Sequence, residues 1–363
     1  MTSLIDLPTE IILLIASFDD YDGYMLFLTN KYLNSKPDDR HIIIVNEASR
    51  SGDLGILEWA VDNGNAITEE ACSNASLNGH LKVLKWIVFI YTTQCCDGFG
   101  VVISSNAALG GHIEILEWMK DDGRFPFGQS ACANAALNGH LKVLQWLRKI
   151  HCPWNSEVCE NAAAGGHLEL LKWARSNGCS WSDDDFPNTK ICSNAAGNGH
   201  IELLKWVSDN GCVLEDSVMM DAAINGHTDI LEWLKGRFPF GSYLCAWASL
   251  GNQLKTLKWL RSNGCPWDQL TCTCAAGAGH LDVLKWASNN GCPLESDVLK
   301  VAARNGHLEI IKCARKNGCP WDRSVSQQAT IGHHGHILEW LSVSGYPWAE
   351  DVDNGIQYLQ HYT

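Results

Sequence analysis

The sequence predicts an all-α protein, a solenoid of about eleven helix–turn–helix repeats that follows a separate N-terminal helical segment. Three observations support this prediction. A Gly-His-Leu string recurs at nearly regular intervals, tryptophan follows it at a fixed distance, and alanine pairs precede it. One copy cannot bury its apolar side chains alone, so neighbouring copies must stack to share a core. The predicted division is residues 1–36 for the N-terminal segment, 41–350 for the repeats and 351–363 for a C-terminal tail or cap.

Each repeat is identified by an index residue, which occupies the histidine position of the Gly-His string. Positions such as −6 or +6 count residues along the chain from that index. Eight of the ten intervals between index residues are 26–28 residues long, and the other two are 32 and 33. Ten of the eleven copies carry tryptophan at +6, and the remaining copy has Cys313 there. The index residues are Asp53, His80, His112, His140, His167, His200, His227, Gln253, His280, His307 and His334.

Each copy predicts two helices. After His140, the apolar residues Leu141, Val143, Leu144 and Leu147 lie on one side of a helix, and charged residues occupy the other side in most copies. The Asn-Gly pair that follows most of these helices predicts a left-handed cap. Before the index, small residues such as the recurring alanine pairs predict a short first helix that lies close to its neighbours.

Composition excludes several classes of function. The formal net charge is −14, which argues against nucleic acid or an anionic membrane as a partner. No apolar run reaches the roughly 18 residues that a membrane span needs, and the N-terminus lacks signal-peptide features. We therefore expect a soluble intracellular protein of the cytoplasm, with the nucleus also open. No nucleophile, phosphate loop or carboxylate pair stands outside the repeat pattern, so we expect no catalytic residue, no cofactor and no small-molecule substrate.

Twelve of the sixteen cysteines fall at only two repeat positions, −8 and +12. No C-x2-C pair occurs, so the spacing argues against zinc. We interpret these cysteines as small buried hydrophobic residues in a reducing compartment, and we expect no metal site.

Three further repeated residues have predicted roles. Nine of the fourteen histidines are index residues, and a role in bonding neighbouring backbone is favoured over catalysis. The tryptophans at +6 are expected to pack in the core or between repeats. Asparagine occupies −6 in five successive copies, where it could form a ladder between repeats or line a concave face. It is absent from that position after Asn194, so the two halves should present different surfaces.

Two repeats contain insertions, at about residues 91–101 and 182–189. We expect loops at both. Such loops often contact partners, and tolerated surface variation is the alternative.

The repeat resembles the ankyrin repeat family, most closely in the stretch A-A-R-N-G-H-L-E-I-I-K that begins at Ala302. The resemblance covers about residues 41–350 and implies stacked helix pairs that bind proteins. Most copies here are 27 residues long against about 33 in the family, so projecting hairpins should be short or absent. The tryptophan at +6, together with Cys-Pro-Trp turns, resembles the ankyrin arrays of giant viruses of amoebae. That likeness implies a setting in the host cytoplasm.

The N-terminal stretch L-P-T-E-I-I-L-L-I-A-S-F, which begins at Leu7, resembles the F-box. The resemblance implies docking to the Skp adaptor of cullin-type ubiquitin ligases. The implied contact residues are Leu7, Pro8, Ile11, Ile15, Phe18, Met25 and Leu28. A simple cap over the first repeat is the alternative. Two functions follow: a ligase adaptor that holds an unidentified target protein, or an ankyrin-repeat scaffold that sequesters a host protein without any ligase.

Overall fold

The structure is a computed structural model that describes residues 40–90, 94–181 and 189–346. In these ranges the chain forms twenty-two α-helices and no β-strand beyond an isolated bridge between Lys235 and Phe238. The predicted all-α class is confirmed. Contacts divide the helices into two compact units, one that extends to Asp183 and one that starts at Asp184.

The first unit contains five helix pairs, each made of a first helix before the index residue and a second helix after it. The helices are α1 (Arg40–Ser51), α2 (Leu54–Asp62), α3 (Glu69–Leu77), α4 (Leu81–Ile90), α5 (Gln94–Gly110), α6 (Ile113–Asp122), α7 (Gln129–Leu137), α8 (Leu141–Lys149), α9 (Glu157–Ala164) and α10 (Leu168–Ser176).

The second unit contains six helix pairs of the same kind. The helices are α11 (Lys190–Gly197), α12 (Ile201–Asp209), α13 (Asp216–Asn225), α14 (Thr228–Leu234), α15 (Tyr243–Leu250), α16 (Leu254–Ser262), α17 (Gln269–Gly277), α18 (Leu281–Asn289), α19 (Ser296–Arg304), α20 (Leu308–Lys316), α21 (Ser324–Ile331) and α22 (Gly335–Val343).

The second helices supply the large apolar side chains of the core. On α8, Val143, Leu144 and Leu147 are at most 3% exposed. Burying a side chain of this size contributes roughly 1.5–3 kcal/mol, so the stripe at +3, +4 and +7 holds each pair together. The opposite face carries exposed ion pairs such as Lys172–Glu169, whose Nζ and Oε1 atoms are 2.7 Å apart. Such exposed pairs contribute little to stability.

The first helices are built of small residues, and within each unit successive first helices contact one another. On α7, Ala135 and Ala136 are fully buried. The glycine that follows most of the first helices has two tasks. Gly139 has φ of 74°, which favours glycine, and an added Cβ would lie 2.5 Å from Nδ1 of His167 in the next repeat. Gly139 therefore both makes the turn and leaves room for the neighbouring histidine ring, whereas Asn252 and His333 hold the same position in two other repeats with φ of 60° and 58°.

Most second helices end at the Asn-Gly turn that the sequence predicts. Asn177 donates from Nδ2 to the carbonyl oxygen of Trp173 over 2.8 Å, and Gly178 adopts φ of 86°. An added Cβ on Gly178 would meet no atom within 4 Å, so the glycine serves the left-handed conformation alone.

The first insertion differs from expectation. We predicted a loop over residues 91–101, but Gln94–Gly110 forms the 17-residue helix α5. The prediction of a loop is therefore wrong from Gln94 onward. No proline interrupts this stretch, so helical hydrogen bonding continues through the inserted residues. Residues 182–188 of the second insertion lie outside the described residues.

Candidate partner-binding surface

The residues that the F-box resemblance implies for adaptor binding lie outside the described residues. They are Leu7, Pro8, Ile11, Ile15, Phe18, Met25 and Leu28. The predicted C-terminal tail over residues 351–363 lies outside them too. The geometry of a binding surface can therefore be followed only on the repeats.

The index histidines bond the repeats to one another. His140 Nε2 lies 3.0 Å from the carbonyl oxygen of Leu109, and His280 Nε2 lies 3.0 Å from that of Leu250. The bonded carbonyl is always at −3 of the preceding repeat, at the end of a first helix. Carbonyls there lack a partner within their own helix, so the ring satisfies a group that stacking would leave unpaired. The predicted structural role of the histidines is confirmed.

The asparagines at −6 form a ladder in the first unit. Asn134 donates from Nδ2 to the carbonyl oxygen of Ser105 over 3.2 Å, and Asn161 donates to that of Ala133 over 3.1 Å. Asn106 instead reaches the hydroxyl of Ser73, at 2.6 Å. Each bond crosses to the preceding repeat at −7. The ladder is thus the correct one of the two alternatives for the first unit, and these amides are already engaged within the protein.

The tryptophans at +6 pack between repeats and are half-buried. Trp173 meets Trp154, from the turn before its own repeat, edge-on at 6.1 Å between ring centroids. Trp286 meets Trp267 in the same way at 5.8 Å. Aromatic pairs in this geometry contribute about 0.5–1.5 kcal/mol beyond their buried area. The predicted packing role is confirmed as contact between repeats, and none of these rings is part of a fully buried core.

The tryptophans at +14, in the turn after the second helix, have a stacking partner that the sequence analysis did not predict. The guanidinium of Arg261 lies 4.2 Å from the ring centroid of Trp267, and that of Arg315 lies 4.0 Å from Trp321. Arg148 over Trp154 and Arg175 over Trp181 repeat the arrangement. The signal was present in the sequence: every described repeat with arginine at +8 has tryptophan at +14, whereas Ser208 and Ser288 are followed by leucine at +14.

The first helices of the second unit carry a different surface. On α15, Tyr243, Trp247 and Leu250 follow one another at the spacing that places them on one side of a helix. Leu250 is 36% exposed, and Leu270 on α17 is 51% exposed. Tyr243 and Trp247 are half-buried.

Hydrogen bonds elsewhere fix which side chains on successive first helices are neighbours. Ser105 at −7 lies 2.6 Å from Ser130 at −10 of the next repeat, measured between hydroxyl oxygens, and Ser193 and Ser217 pair likewise at 3.5 Å. The same spacing places Met220 beside Tyr243. It also places Ala246 beside Leu270.

We name the resulting cluster the aromatic patch. It consists of Met220, Ile224, Tyr243, Trp247, Leu250 and Leu270.

Charged side chains flank the aromatic patch on both sides. Asp216 and Asp221 lie on α13, and burial together with the charge of Asp216 raises the pKa of Tyr243, so the phenol keeps its proton. On α19, Lys300 Nζ lies 3.1 Å from Asp297 Oδ1 and 3.4 Å from Asp322 Oδ2. An apolar centre with a charged rim is the usual anatomy of a protein–protein interface.

The described residues contain no group of three or more His, Cys, Asp or Glu side chains that could hold a metal ion. Over the same ranges, no helix has the length and apolarity needed to cross a membrane.

Comparison with known proteins gives a likeness of fold only. No protein-family model matches the chain, and no curated protein matches it. The ankyrin repeat domain of human ASB11 is similar over 55% of this chain and 96% of that one, with 17% identity and a TM-score of 0.38. The interpretation of the surface therefore rests on the residues of this chain.

Proposed function

We propose that this chain is a non-enzymatic protein-interaction protein whose target docks on the aromatic patch. One observation supports the proposal most: at −6, Trp247 stands where four repeats of the first unit carry asparagine, with Tyr243 on the same side of α15 and exposed leucines beside them. Tryptophan and tyrosine are the residues most often found at the energetic centre of interfaces. Helices stacked on both sides hold them in place, so little conformational entropy is lost on binding.

The surrounding charges restrict the target. Asp216 and Asp221 border the aromatic patch on α13, and the chain carries a net charge of −14. A target with apolar side chains at its centre and basic residues facing α13 would match this arrangement, and the opposite charges would speed its association.

The N-terminal segment is proposed to connect the bound target to a ubiquitin ligase through the Skp adaptor. The support is the Leu-Pro-x-Glu-Ile pattern and the apolar spacing of Leu7, Ile11 and Ile15. The chain would then act by proximity, because tethering raises the effective concentration of the ligase at the target. The competing function is a scaffold that binds or sequesters the target with no ligase.

The target half of the proposal is tested by affinity capture and mass spectrometry with the full chain, using wild type and the double variant Trp247→Ser, Leu270→Ser. Val343→Ser is the matched control, because Val343 is 81% exposed and lies on the second helix α22. We expect target proteins that the double variant loses and the control retains. Equal capture by all three chains would refute the aromatic patch as the docking surface.

The ligase half is tested separately with purified Skp adaptor. Wild type should bind it, and the double variant Leu7→Asp, Pro8→Ala should not. If wild type fails to bind, the ligase connection is lost, while target capture by the aromatic patch would still support the scaffold function.

A further inference from the structure

The two repeated cysteine positions, −8 on the first helix and +12 in the turn, meet inside the same repeat. The sulfur atoms of Cys159 and Cys179 are 3.3 Å apart, those of Cys192 and Cys212 are 2.7 Å apart, and those of Cys245 and Cys265 are 3.6 Å apart. Cys132 with Cys152 and Cys272 with Cys292 occupy the same two positions of their repeats, and in each the turn thiol is the main cause of the raised pKa of the helix thiol. All ten residues are thiols that are at most 7% exposed.

Each pair has a fixed orientation. The helix thiol donates to the sulfur of the turn cysteine, as Cys159 does to Cys179. The turn thiol in turn donates to a backbone carbonyl 24 residues earlier, as Cys179 does to Asn155 at 3.4 Å and Cys265 does to Gly241 at 3.4 Å. A disulfide has an S–S distance of about 2.05 Å, so bond formation needs the sulfurs of these three pairs to approach by about 0.7–1.6 Å.

The contact between paired thiols also gives the two thiols different pKa values. The pKa of Cys212 is lowered chiefly because the Cys192 thiol donates to its sulfur, and the pKa of Cys192 is raised by the same bond. Cys319 provides the contrast, because Leu299 stands at −8 of its repeat. There burial raises the pKa of the thiol to about 11. The thiolate is the nucleophilic form, so the turn cysteine of a pair is the one prepared to attack an oxidant.

We propose that the five pairs are redox-modification sites at which a hydroperoxide closes a disulfide within each repeat. The turn thiolate attacks one peroxide oxygen, the O–O bond breaks, and the other oxygen leaves as water or an alcohol after taking a proton. This step leaves a sulfenic acid on the turn cysteine. The helix sulfur then attacks the sulfenic sulfur, the S–O bond breaks, and water leaves with the proton of the helix thiol. Two electrons from each pair thus reduce one hydroperoxide.

The cross-link would reinforce the repeat as a unit. It joins residues 20 positions apart, from the first helix across the whole second helix to the turn. Closing such a loop restricts the unfolded chain, so the oxidised protein should melt at a higher temperature than the reduced one. Access would come from local opening of the turn, where Cys212 is 7% and Cys292 is 5% exposed.

The test treats the reduced full chain with hydrogen peroxide under native conditions, alkylates remaining thiols in denaturant, and maps linkages without reduction. We expect the links 132–152, 159–179, 192–212, 245–265 and 272–292, an alkylated Cys319, and a raised thermal midpoint that dithiothreitol reverses. Full alkylation of the paired thiols would overturn the proposal. So would links that scramble the pairs, include Cys319 or join two chains.

Two variants test the pairing rule, by which a thiol at −8 and a thiol at +12 of the same repeat form a disulfide on oxidation. Leu299→Cys places a second thiol opposite Cys319, and we expect one additional linkage on oxidation. Cys192→Ala removes a partner, and we expect only the 192–212 link to disappear while Cys212, which like Cys319 then has no cysteine at −8 of its repeat, is recovered alkylated. If Leu299→Cys folds, as judged by its helical circular dichroism, and gives no new link, the rule is wrong. A Cys192→Ala chain that loses several links would likewise contradict independent pairs.

Discussion

The two units repeat one helix pair but use the exposed side of the first helix differently. In the first unit, asparagines such as Asn134 and Asn161 bond the preceding repeat from position −6. In the second unit that position holds Trp247 in one repeat and Val301 in another, yet the first helices still contact one another. The difference shows that the asparagine ladder supplements the stacking and is not a condition for it. Position −6 is therefore available for recognition wherever the ladder is absent.

The index position varies less between repeats than position −6 does, and its contact with the preceding repeat is kept in both units. A histidine there bonds a helix-end carbonyl of the preceding repeat and packs against the glycine in the turn of that preceding repeat. The second unit replaces one of these histidines by Gln253, whose amide oxygen occupies the same space beside Gly226. The position can change its side chain but has to keep a group that fills that space.

The largest expected effect is on the free energy of unfolding, and it distinguishes a turn glycine that faces a histidine ring from one that faces Gln253. Gly139→Ala should lower the free energy of unfolding by about 3 kcal/mol, because it combines a left-handed φ with a Cβ 2.5 Å from the His167 ring. Gly226→Ala should cost about half as much, since the atom that its Cβ meets is the flexible end of Gln253. Chemical denaturation of each variant measures both values.

Gly178→Ala is the control for these substitutions, because its φ is 86° and no atom would lie within 4 Å of the new Cβ. It should show the conformational cost alone, about 1–2 kcal/mol. Equal losses in all three variants would mean that the histidine contact adds nothing to the stacking.

The second prediction contrasts the two surfaces directly. Trp247→Ala should weaken binding of a captured target by about 2 kcal/mol or more, roughly thirtyfold, with a smaller effect on stability. Asn134→Ala should leave target binding unchanged and lower the free energy of unfolding by about 1 kcal/mol, because it removes a bond between repeats. Calorimetric titration and denaturation of both variants give the four numbers. A binding loss from Asn134→Ala would mean that the first unit takes part in recognition.

Much of this architecture was predictable because repetition averages out local ambiguity. The helix pairs, the histidine bonds and the asparagine ladder follow from residues that recur at one offset. The inserted residues before His112 were not predictable in the same way, because no second copy shows whether they continue a helix. Most of the aromatic patch escaped the analysis for a related reason. Trp247 is a single departure from the pattern, and only the described helices show which side chains lie beside it.

Contacts between side chains at two different repeat positions were also not predicted. The thiols at −8 and +12 recur at constant spacing, but a constant spacing does not say whether two columns of side chains touch. The same holds for arginine at +8 and tryptophan at +14. Their joint presence in four repeats and their joint replacement by serine and leucine in two was the one available signal of contact, and Ser342 followed by Trp348 departs from it.

The third prediction uses that replacement. The double variant Arg148→Ser, Trp154→Leu in the first unit and Arg261→Ser, Trp267→Leu in the second should each lose about 1 kcal/mol of stability, because the stacked cation and the aromatic pair both disappear. The single variants should sum to more than the double, which shows coupling between the two side chains. Additive losses, measured by denaturation, would mean that the stacking seen in both units contributes nothing of its own.

The smallest expected effect compares one carboxylate from each unit across pH. Hydrogen bonds from Ser324 and Lys300 lower the pKa of Asp322 below 3.8, and a hydrogen bond from Arg124 does the same for Asp122. A lowered folded-state pKa stabilises the fold above the unfolded value, and this stability is lost as pH falls through the folded value. The Asp322 side chain is 49% exposed and that of Asp122 is 17% exposed, and each pairs at the protein surface, so each should contribute less than about 1 kcal/mol.

Asp322→Asn and Asp122→Asn should therefore reduce the stability of the protein at neutral pH, and the difference from wild type should shrink as pH falls through the lowered pKa values of the folded state. Denaturation across that range in low salt measures the difference. Lys300 pairs with Asp322 of the next repeat, whereas Arg124 and Asp122 lie in one turn. Lys300→Met should therefore reduce the pH-dependent stability that Asp322 contributes and leave that of Asp122 unchanged. If Lys300→Met changes neither pH profile, the contact between repeats is electrostatically neutral. Stacking in the second unit would then rest, like that in the first, on its apolar stripes and helix-end hydrogen bonds.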